Sequence, residues 1–219
     1  MDYRLLGFFS GFPKYRFSHD VAKRLSKELN HRKNLVFVSA WPEDYVKNDS
    51  ESVGMHGMFE ECNMPFTQHY VIDNRMETSQ ATQLIHEASC LFLMGGHPGL
   101  QSQLLHDKKL DVAICDSTAA VLGVSAGAIN MAKFSLDTKE SPMPYNGLGL
   151  ANITVKPHFE LENQQMLSSL LHISMNLPIC AMEDNSAIFV KGDRITSMGE
   201  IYWIHQGKIC PFWQGGLAL

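Results

Sequence analysis

Residues 120–130 read Ala-Val-Leu-Gly-Val-Ser-Ala-Gly-Ala-Ile-Asn, and no other stretch leaves this chain so few ways to fold. An apolar run suited to a buried strand breaks into Gly123-Val124-Ser125-Ala126-Gly127, which fits the G-x-S-x-G template of a nucleophile elbow. A strand that turns sharply into a helix brings its backbone against neighbouring elements, and residues without a Cβ on either side of the serine relieve that crowding. Such a turn lifts the Ser125 hydroxyl out at the carboxyl end of the strand. It also aims the Ala126 amide, at the start of the new helix, toward any oxyanion formed there. A glycine-rich turn used only for packing satisfies the same template, so the rest of the chain has to decide between the two readings.

The flanking sequence places the elbow in an α/β sheet. Residues 5–10, 34–40, 65–72 and 90–94 are short apolar runs of strand length. Between them lie helical patterns: Val21, Leu25 and Leu29 from Ser18 onward, a helix over about 50–62, and Ala81, Leu84, Ile85 and Ala88 within 78–88. A further helix through Leu100, Leu104 and Leu105 leads back through 112–114 to the elbow strand. Strands alternating with helices of this length predict a mostly parallel central sheet with helices on both faces. The working site of such a sheet lies at the carboxyl ends of its strands, where both the Gly95-Gly96 turn and Ser125 fall. The backbone amide of Gly96 or His97 can therefore supply a second oxyanion donor beside Ala126. After Asn130 the pattern changes. Residues 141–147 read as loop, 153–155 as a strand running into Lys156-Pro157-His158-Phe159, and about 164–175 as a helix. Residues 179–182, 187–190 and 201–204 read as short strands that extend the sheet antiparallel toward the C-terminus.

Length and charge exclude several classes. A chain of 219 residues suits one α/β domain over 1–219. A net charge of −5 with 19% charged residues offers no basic face for a phosphate backbone, so nucleic acid is not an expected partner. No run of 18 or more apolar residues is present, and the start of the sequence lacks a signal peptide's apolar core, so no membrane partner and a cytoplasmic location are expected. The five cysteines are widely spaced with no C-x-x-C pair, against both a disulfide framework and a structural zinc site. The sequence leaves room for a homodimer.

A serine hydroxyl needs a base, and the base needs an acid to fix its tautomer. His158 with an acid in the Glu183-Asp184 turn gives the chain order Ser, His, acid. His205 with Asp184 or Asp193 gives Ser, acid, His, the order of α/β-hydrolase esterases.

Four motifs in register resemble one family: the elbow 123–128, the strand end Met94-Gly95-Gly96, Pro157-His158-Phe159, and Ala181-Met182-Glu183-Asp184-Asn185-Ser186-Ala187-Ile188. All look like the aspartyl dipeptidase (dipeptidase E) and cyanophycinase-type serine peptidases, and the likeness runs in order from the first strand to about Val190. The resemblance implies a fold similar to class I glutamine amidotransferases and a serine peptidase acting on dipeptides or short peptides through an acyl-enzyme. It implies Ser125 as nucleophile, His158 as base, and the Gly96 and Ala126 amides as oxyanion hole, with no metal and no cofactor. It puts the acid at Asp184, with Glu183 as the alternative. Adjacent strand residues point to opposite faces, so only one of these two reaches His158. Asp137 and Glu140 are weaker candidates. His97-Pro98-Gly99 departs from the family pattern. Selection of an N-terminal aspartate would need a nearby cation, for which Lys133, Lys139 and Lys156 are available.

The remaining residues of note have blander readings. His56 and Glu60, four apart near Cys62, lack the third ligand that a metal site requires. Tyr202, Trp203, Phe212 and Trp213 suit core and edge packing. Besides the peptidase reading, an esterase using Ser125 and His205 and a silent ligand-binding member of the fold stay open.

Overall fold

The computed structural model describes residues 3–137 and 143–212. Five strands run parallel: β1 (Leu6–Phe9), β2 (Asn34–Val38), β3 (Gln68–Ile72), β4 (Cys90–Leu93) and β5 (Ala120–Val124). The crossovers between them carry α1 (His19–Glu28), α2 (Tyr45–Glu61), α3 (Thr78–Glu87), α4 (Pro98–Asp107) and α5 (Leu110–Asp116). Successive strand residues point to opposite faces, and the two faces bury separate cores. Phe8, Val36, Val38, Leu91, Leu93 and Val121 pack under α3, α4 and α5. Phe9, Leu35, Phe37, Phe92 and Leu122 pack under α1 and α2. Burial on both sides is why β1, β4 and all of β2 after Asn34 are without polar side chains, every residue of Leu6–Phe9, Leu35–Val38 and Cys90–Leu93 being buried.

After β5 come the short α6 (Ala126–Met131) and a two-stranded ribbon of β6 (Phe134–Ser135) and β7 (Tyr145–Asn146). Next are β8 (Val155–Lys156), α7 (Gln164–Ile173) and β9 (Ile179–Met182), then β10 (Ala187–Lys191), β11 (Arg194–Met198), β12 (Ile201–His205) and β13 (Lys208–Pro211). β10 pairs antiparallel with β1, and β11 with β10, which completes a seven-stranded sheet in the order β11-β10-β1-β5-β4-β2-β3. This is the mostly parallel α/β sheet with an antiparallel C-terminal extension that the sequence predicts.

The C-terminal third is more divided than its pattern suggests. β9 and β12, expected beside β10, instead pair with each other in a second sheet ordered β13-β12-β9-β8. Its core is separate too, built from Phe159, Leu170, Ile179, Ala181 and Ile204. Strands β11 and β13 were not anticipated, since Arg194, Lys208 and Pro211 break any apolar run. Residues 112–114, expected as a simple return, belong to helix α5. Helix α2 begins at Tyr45, ahead of the expected 50, because Asp44 caps it: its Oδ1 accepts the Lys47 N–H at 3.2 Å. The expected loop at 141–147 lies partly outside the described residues, and its end forms β7.

Polar bonds fix the ends of the strands. The buried Gln101 side chain of α4 donates to the carbonyls of Val38 and Met94 at 3.0 and 3.1 Å. Asn130 of α6 in turn donates to Gln101 Oε1 at 3.1 Å and to the Pro98 carbonyl at 2.9 Å. These buried bonds hold the turn after β4 in fixed relation to the elbow.

Candidate active site

Ser125 stands between β5 and α6 with φ 51° and ψ −110°, a conformation that costs a non-glycine residue on the order of 1–3 kcal/mol and persists only where the surroundings impose it. Here they do. The Ser125 amide donates to the Phe9 carbonyl of β1 at 2.9 Å, and the Ser125 carbonyl accepts from Ile129 at 3.0 Å. The flanking glycines are sterically required: a Cβ on Gly123 would lie 2.7 Å from the Gly127 carbonyl carbon, and one on Gly127 would run into the Leu93 carbonyl of β4. The glycine pattern thus reflects close backbone packing, and that packing presents the serine.

β4 pairs in register with β5, so the Gly95-Gly96 turn arrives beside the elbow. A Cβ on Gly95 would sit 3.6 Å from the Ser125 Cβ. Gly96 adopts φ 140°, open to glycine alone, and the Trp41 indole occupies the space a side chain there would need. Of the two amides the sequence offered for this turn, that of His97 donates to the Ala40 carbonyl at 3.3 Å. Among the described residues neither the Gly96 nor the Ala126 amide has a protein acceptor. His97 itself caps α4: its Nδ1 accepts the Leu100 N–H at 3.3 Å, and its ring meets Trp41 edge-on.

His158 follows β8 and reaches the same point. Its Nε2 lies 2.9 Å from Ser125 Oγ, and its Nδ1 lies 2.7 Å from Asp184 Oδ1. A carboxylate only accepts, so Nδ1 carries the proton toward Asp184 and Nε2 is left to accept from the Ser125 hydroxyl. The His158 and Asp184 side chains are 49% and 43% exposed, so the array opens to solvent. Ser125, His158 and Asp184 therefore meet as one hydrogen-bonded chain.

The other candidates lie elsewhere. Glu183, next to Asp184 in the turn after β9, turns toward Glu162, Glu200 and Tyr202. Burial first, then repulsion from the two glutamates, pushes its carboxyl above the usual carboxylate range. Together with His158, Phe159, Glu160 and Asp184, Glu162 and Glu183 line a small acidic cleft of about 260 Å³. Asp137 is buried beside Tyr145, and Glu140 lies outside the described residues. His205 ends β12 in the second sheet, against Trp203. Lys156 donates to its neighbour's carbonyl at Pro157, Lys133 sits over Phe134, and Lys139 lies outside the described residues. His56 stacks on His69 with ring centroids 4.5 Å apart, and among the described residues no group of three or more His, Cys, Asp or Glu side chains is arranged to hold a metal. Trp203 packs against Phe212, and Tyr202 against Phe159; Trp213 lies outside the described residues.

Two residues that the sequence reading passed over stand at the centre. Ser10, fully buried just past β1, accepts the His158 N–H at 2.7 Å and donates to the Met182 carbonyl at 2.9 Å, with Asp184 Oδ1 at 3.3 Å. His158 needs that anchor because its own φ is 53°, in the left-handed region. Gly11 comes next: a Cβ there would lie 2.8 Å from His158 Cε1 and collide with the Asp184 carboxylate. Its carbonyl accepts the Asn185 N–H at 3.1 Å, pinning the acid's turn to the end of β1. The one available signal was the Ser-Gly pair ending an apolar strand, and it reads as an ordinary turn.

The family model described as peptidase family S51 matches residues 9–198. Among solved structures, a peptidase from an acI-B1 Actinobacterium superposes with a TM-score of 0.73 at 15% identity, covering 98% of this chain and 96% of that one. A putative peptidase E protein from Listeria monocytogenes EGD-e gives a TM-score of 0.69 at 17% identity over 90% of this chain and 98% of that one. No curated protein matches.

Proposed function

We propose, from the premise that this chain belongs to peptidase family S51 and is a serine peptidase, that it hydrolyses dipeptides or short peptides, as a dipeptidase E-like enzyme, through Ser125, His158 and Asp184. The observation that carries this reading is the hydrogen-bonded chain from Asp184 Oδ1 through His158 to Ser125 Oγ, at 2.7 and 2.9 Å. The name of the Listeria structure, peptidase E, supports the same class of substrate.

The chemistry follows from which atom holds which proton. Ser125 Oγ attacks the scissile carbonyl carbon as His158 Nε2 takes the hydroxyl proton. Asp184 keeps Nδ1 protonated and steadies the imidazolium. The oxyanion develops beside the Gly96 and Ala126 amides, and such preorganised donors typically contribute about 10²–10³ in rate each. His158 then hands its proton to the leaving amine, and a water molecule, deprotonated by the same nitrogen, releases the acyl group. The acidic cleft lies on the leaving-group side, next to His158. Every step uses only protein groups and water.

The reading extends to residues 1–219 acting as one peptidase domain on small peptides in the cytoplasm, with neither nucleic acid nor membrane as partner. Among the described residues no helix is long and apolar enough to cross a membrane. The test is hydrolysis of a dipeptide and short-ester panel by wild type, Ser125→Ala, His158→Ala and His205→Ala. Loss of peptide hydrolysis in the first two variants with His205→Ala near wild type is expected. Activity that survives without His158 and depends on His205 would refute the reading in favour of an esterase.

A further inference from the structure

We propose that this peptidase takes an apolar, preferably aromatic, side chain on the acyl side of the scissile bond, in the pocket formed by Phe12, Tyr15, Trp41, Met55 and Met58 beside the Gly95-Gly96 turn. The inference rests on Ser125 and His158 acting as described above.

The position of the pocket follows from the direction of acyl transfer. His158 must protonate the leaving amine, so the leaving residue lies on the His158 side, and the acyl residue extends the other way, past the Gly96 amide. On that other side is a cavity of about 460 Å³ whose floor is Gly95, Gly96 and Val124. That volume is within the roughly 300–1,000 Å³ of small-molecule sites. Ser125 itself does not line the pocket, but its chain neighbour Val124 does, and a Cβ added to the lining Gly95 would sit 3.6 Å from Ser125 Cβ, so the pocket lies next to the nucleophile. His158 does not line it. A larger cavity of about 820 Å³ lies across Trp41, lined by Pro42, Leu100 and Lys108; none of Ser125, His158 and Asp184 lines either cavity, and the smaller one is set apart by Gly95, Gly96 and Val124, which adjoin the nucleophile.

The chemistry of the occupant follows from the walls. Three aromatic rings and two thioethers offer polarisable apolar surface on which a ring stacks and a carboxylate loses its hydration. One cation, Lys47, stands at the rim. Its Nζ lies 4.7 Å from the Trp41 ring centroid and 3.9 Å from Glu51 Oε1, so Glu51 offsets its charge within the same pocket. Lys47 thus caps the aromatic wall and does not present an unopposed positive charge to an acidic side chain.

Gly54 adds a second, independent observation. It stands in the interior of α2, where glycine costs roughly 1 kcal/mol relative to alanine. Packing does not require it, because a Cβ there would meet nothing within 4 Å. The space it leaves open belongs to the pocket. Gly57, one turn on, is equally unobstructed but does not line the pocket, so it serves as a control.

The test measures kcat/KM for X-Ala dipeptides with X as Phe, Leu, Ala, Asp and Lys, alongside labelling of Ser125 by methanesulfonyl and phenylmethanesulfonyl fluoride. Phe-Ala should exceed Ala-Ala by at least about tenfold, as removing apolar contacts in such pockets does. Asp-Ala should fall below both. Gly54→Leu should cut the Phe-Ala to Ala-Ala ratio, and the phenylmethanesulfonyl to methanesulfonyl labelling ratio, about tenfold, and Gly57→Leu should leave both ratios unchanged. An Asp-Ala preference abolished by Lys47→Met would overturn the proposal and make Lys47 the receptor of an acidic side chain. Flat selectivity in an enzyme whose Ser125 labels readily refutes the pocket alone. Absence of both turnover and labelling refutes the catalytic reading, and the pocket assignment falls with it.

Discussion

Replacing Ser10 with alanine should lower peptide turnover although Ser10 touches no substrate. The hydroxyl accepts the His158 N–H at 2.7 Å and gives its own proton to the Met182 carbonyl at 2.9 Å. Alanine leaves the His158 N–H without a partner, while the Met182 carbonyl keeps the Phe159 N–H at 3.0 Å, and an unsatisfied donor of this kind costs about 1–3 kcal/mol. The cost falls where the backbone is already strained, because His158 stands at φ 53° and the lost bond was one of those holding it there. If relaxation takes the imidazole away from Ser125, a penalty of about 1–3 kcal/mol on the productive conformer corresponds to a loss of roughly 5- to 150-fold in kcat. KM should change little, since the pocket past Gly96 is untouched. The assay is steady-state hydrolysis of the best dipeptide by purified, folded protein, with the melting temperature measured in parallel. Ser10→Thr, which keeps the hydroxyl, should recover much of the lost kcat. A Ser10→Ala protein that melts earlier yet keeps the wild-type kcat would show that the bond supports only the fold, and the positioning argument would be wrong.

Other outcomes follow from the same geometry. Gly11→Ala should abolish hydrolysis and slow sulfonyl fluoride labelling of Ser125 while circular dichroism stays native, because the added methyl collides with the His158–Asp184 pair and not with the core. Asp184→Asn should reduce kcat by up to about 10⁴-fold, as reversal of the histidine tautomer does in the serine protease triad. Glu183→Gln should stay within a few-fold of wild type, and the reverse pattern would make Glu183 the acid. Glu183 also has a signature in stability. Burial and its glutamate neighbours raise its pKa in the folded chain, so the folded state holds the proton more tightly. The resulting stabilisation is complete below the ordinary carboxylate range and is lost as pH rises through the raised value. Glu183→Gln should therefore flatten any fall in melting temperature as pH rises above the ordinary carboxylate range, and an unchanged slope would assign that fall to other groups.

The sequence exposes those parts of the site whose signal is local. The elbow is legible because steric demands on either side of Ser125 write glycine at 123 and 127 within five residues. The proposed acid is legible only through the family likeness, which puts it directly before Asn185, since Glu183 and Asp184 both lie in the turn after β9 and not in a strand. His158 is visible as a histidine past a strand end, yet choosing it over His205 needed the family likeness, since either satisfies the chemistry. What stays hidden depends on contacts distant in the chain. Ser10 meets His158 and Met182 across 148 and 172 residues, and nothing within the run Phe9-Ser10-Gly11 records those partners. The acyl-side pocket is hidden for the same reason, drawing its walls from the loop after β1, from Trp41, from one face of α2 and from the turn after β4. The second sheet escapes because β9 and β10 carry the same apolar signal, and only the break at 183–186 sends them to different partners.

The insertion of β1 between β5 and β10 bears on when the enzyme first becomes active. A nascent chain that has passed the elbow already contains the parallel strands needed to present Ser125, and that serine is then no more nucleophilic than any other hydroxyl. The proposed base, His158, follows 33 residues later and the proposed acid, Asp184, 26 residues after that. Neither is held in place until β10 closes against β1 and Met182 and Asn185 bond to the Ser10 and Gly11 that follow that strand. Synthesis therefore yields a peptidase that stays inert through most of its own assembly and becomes active only when one of its last strands docks against its first.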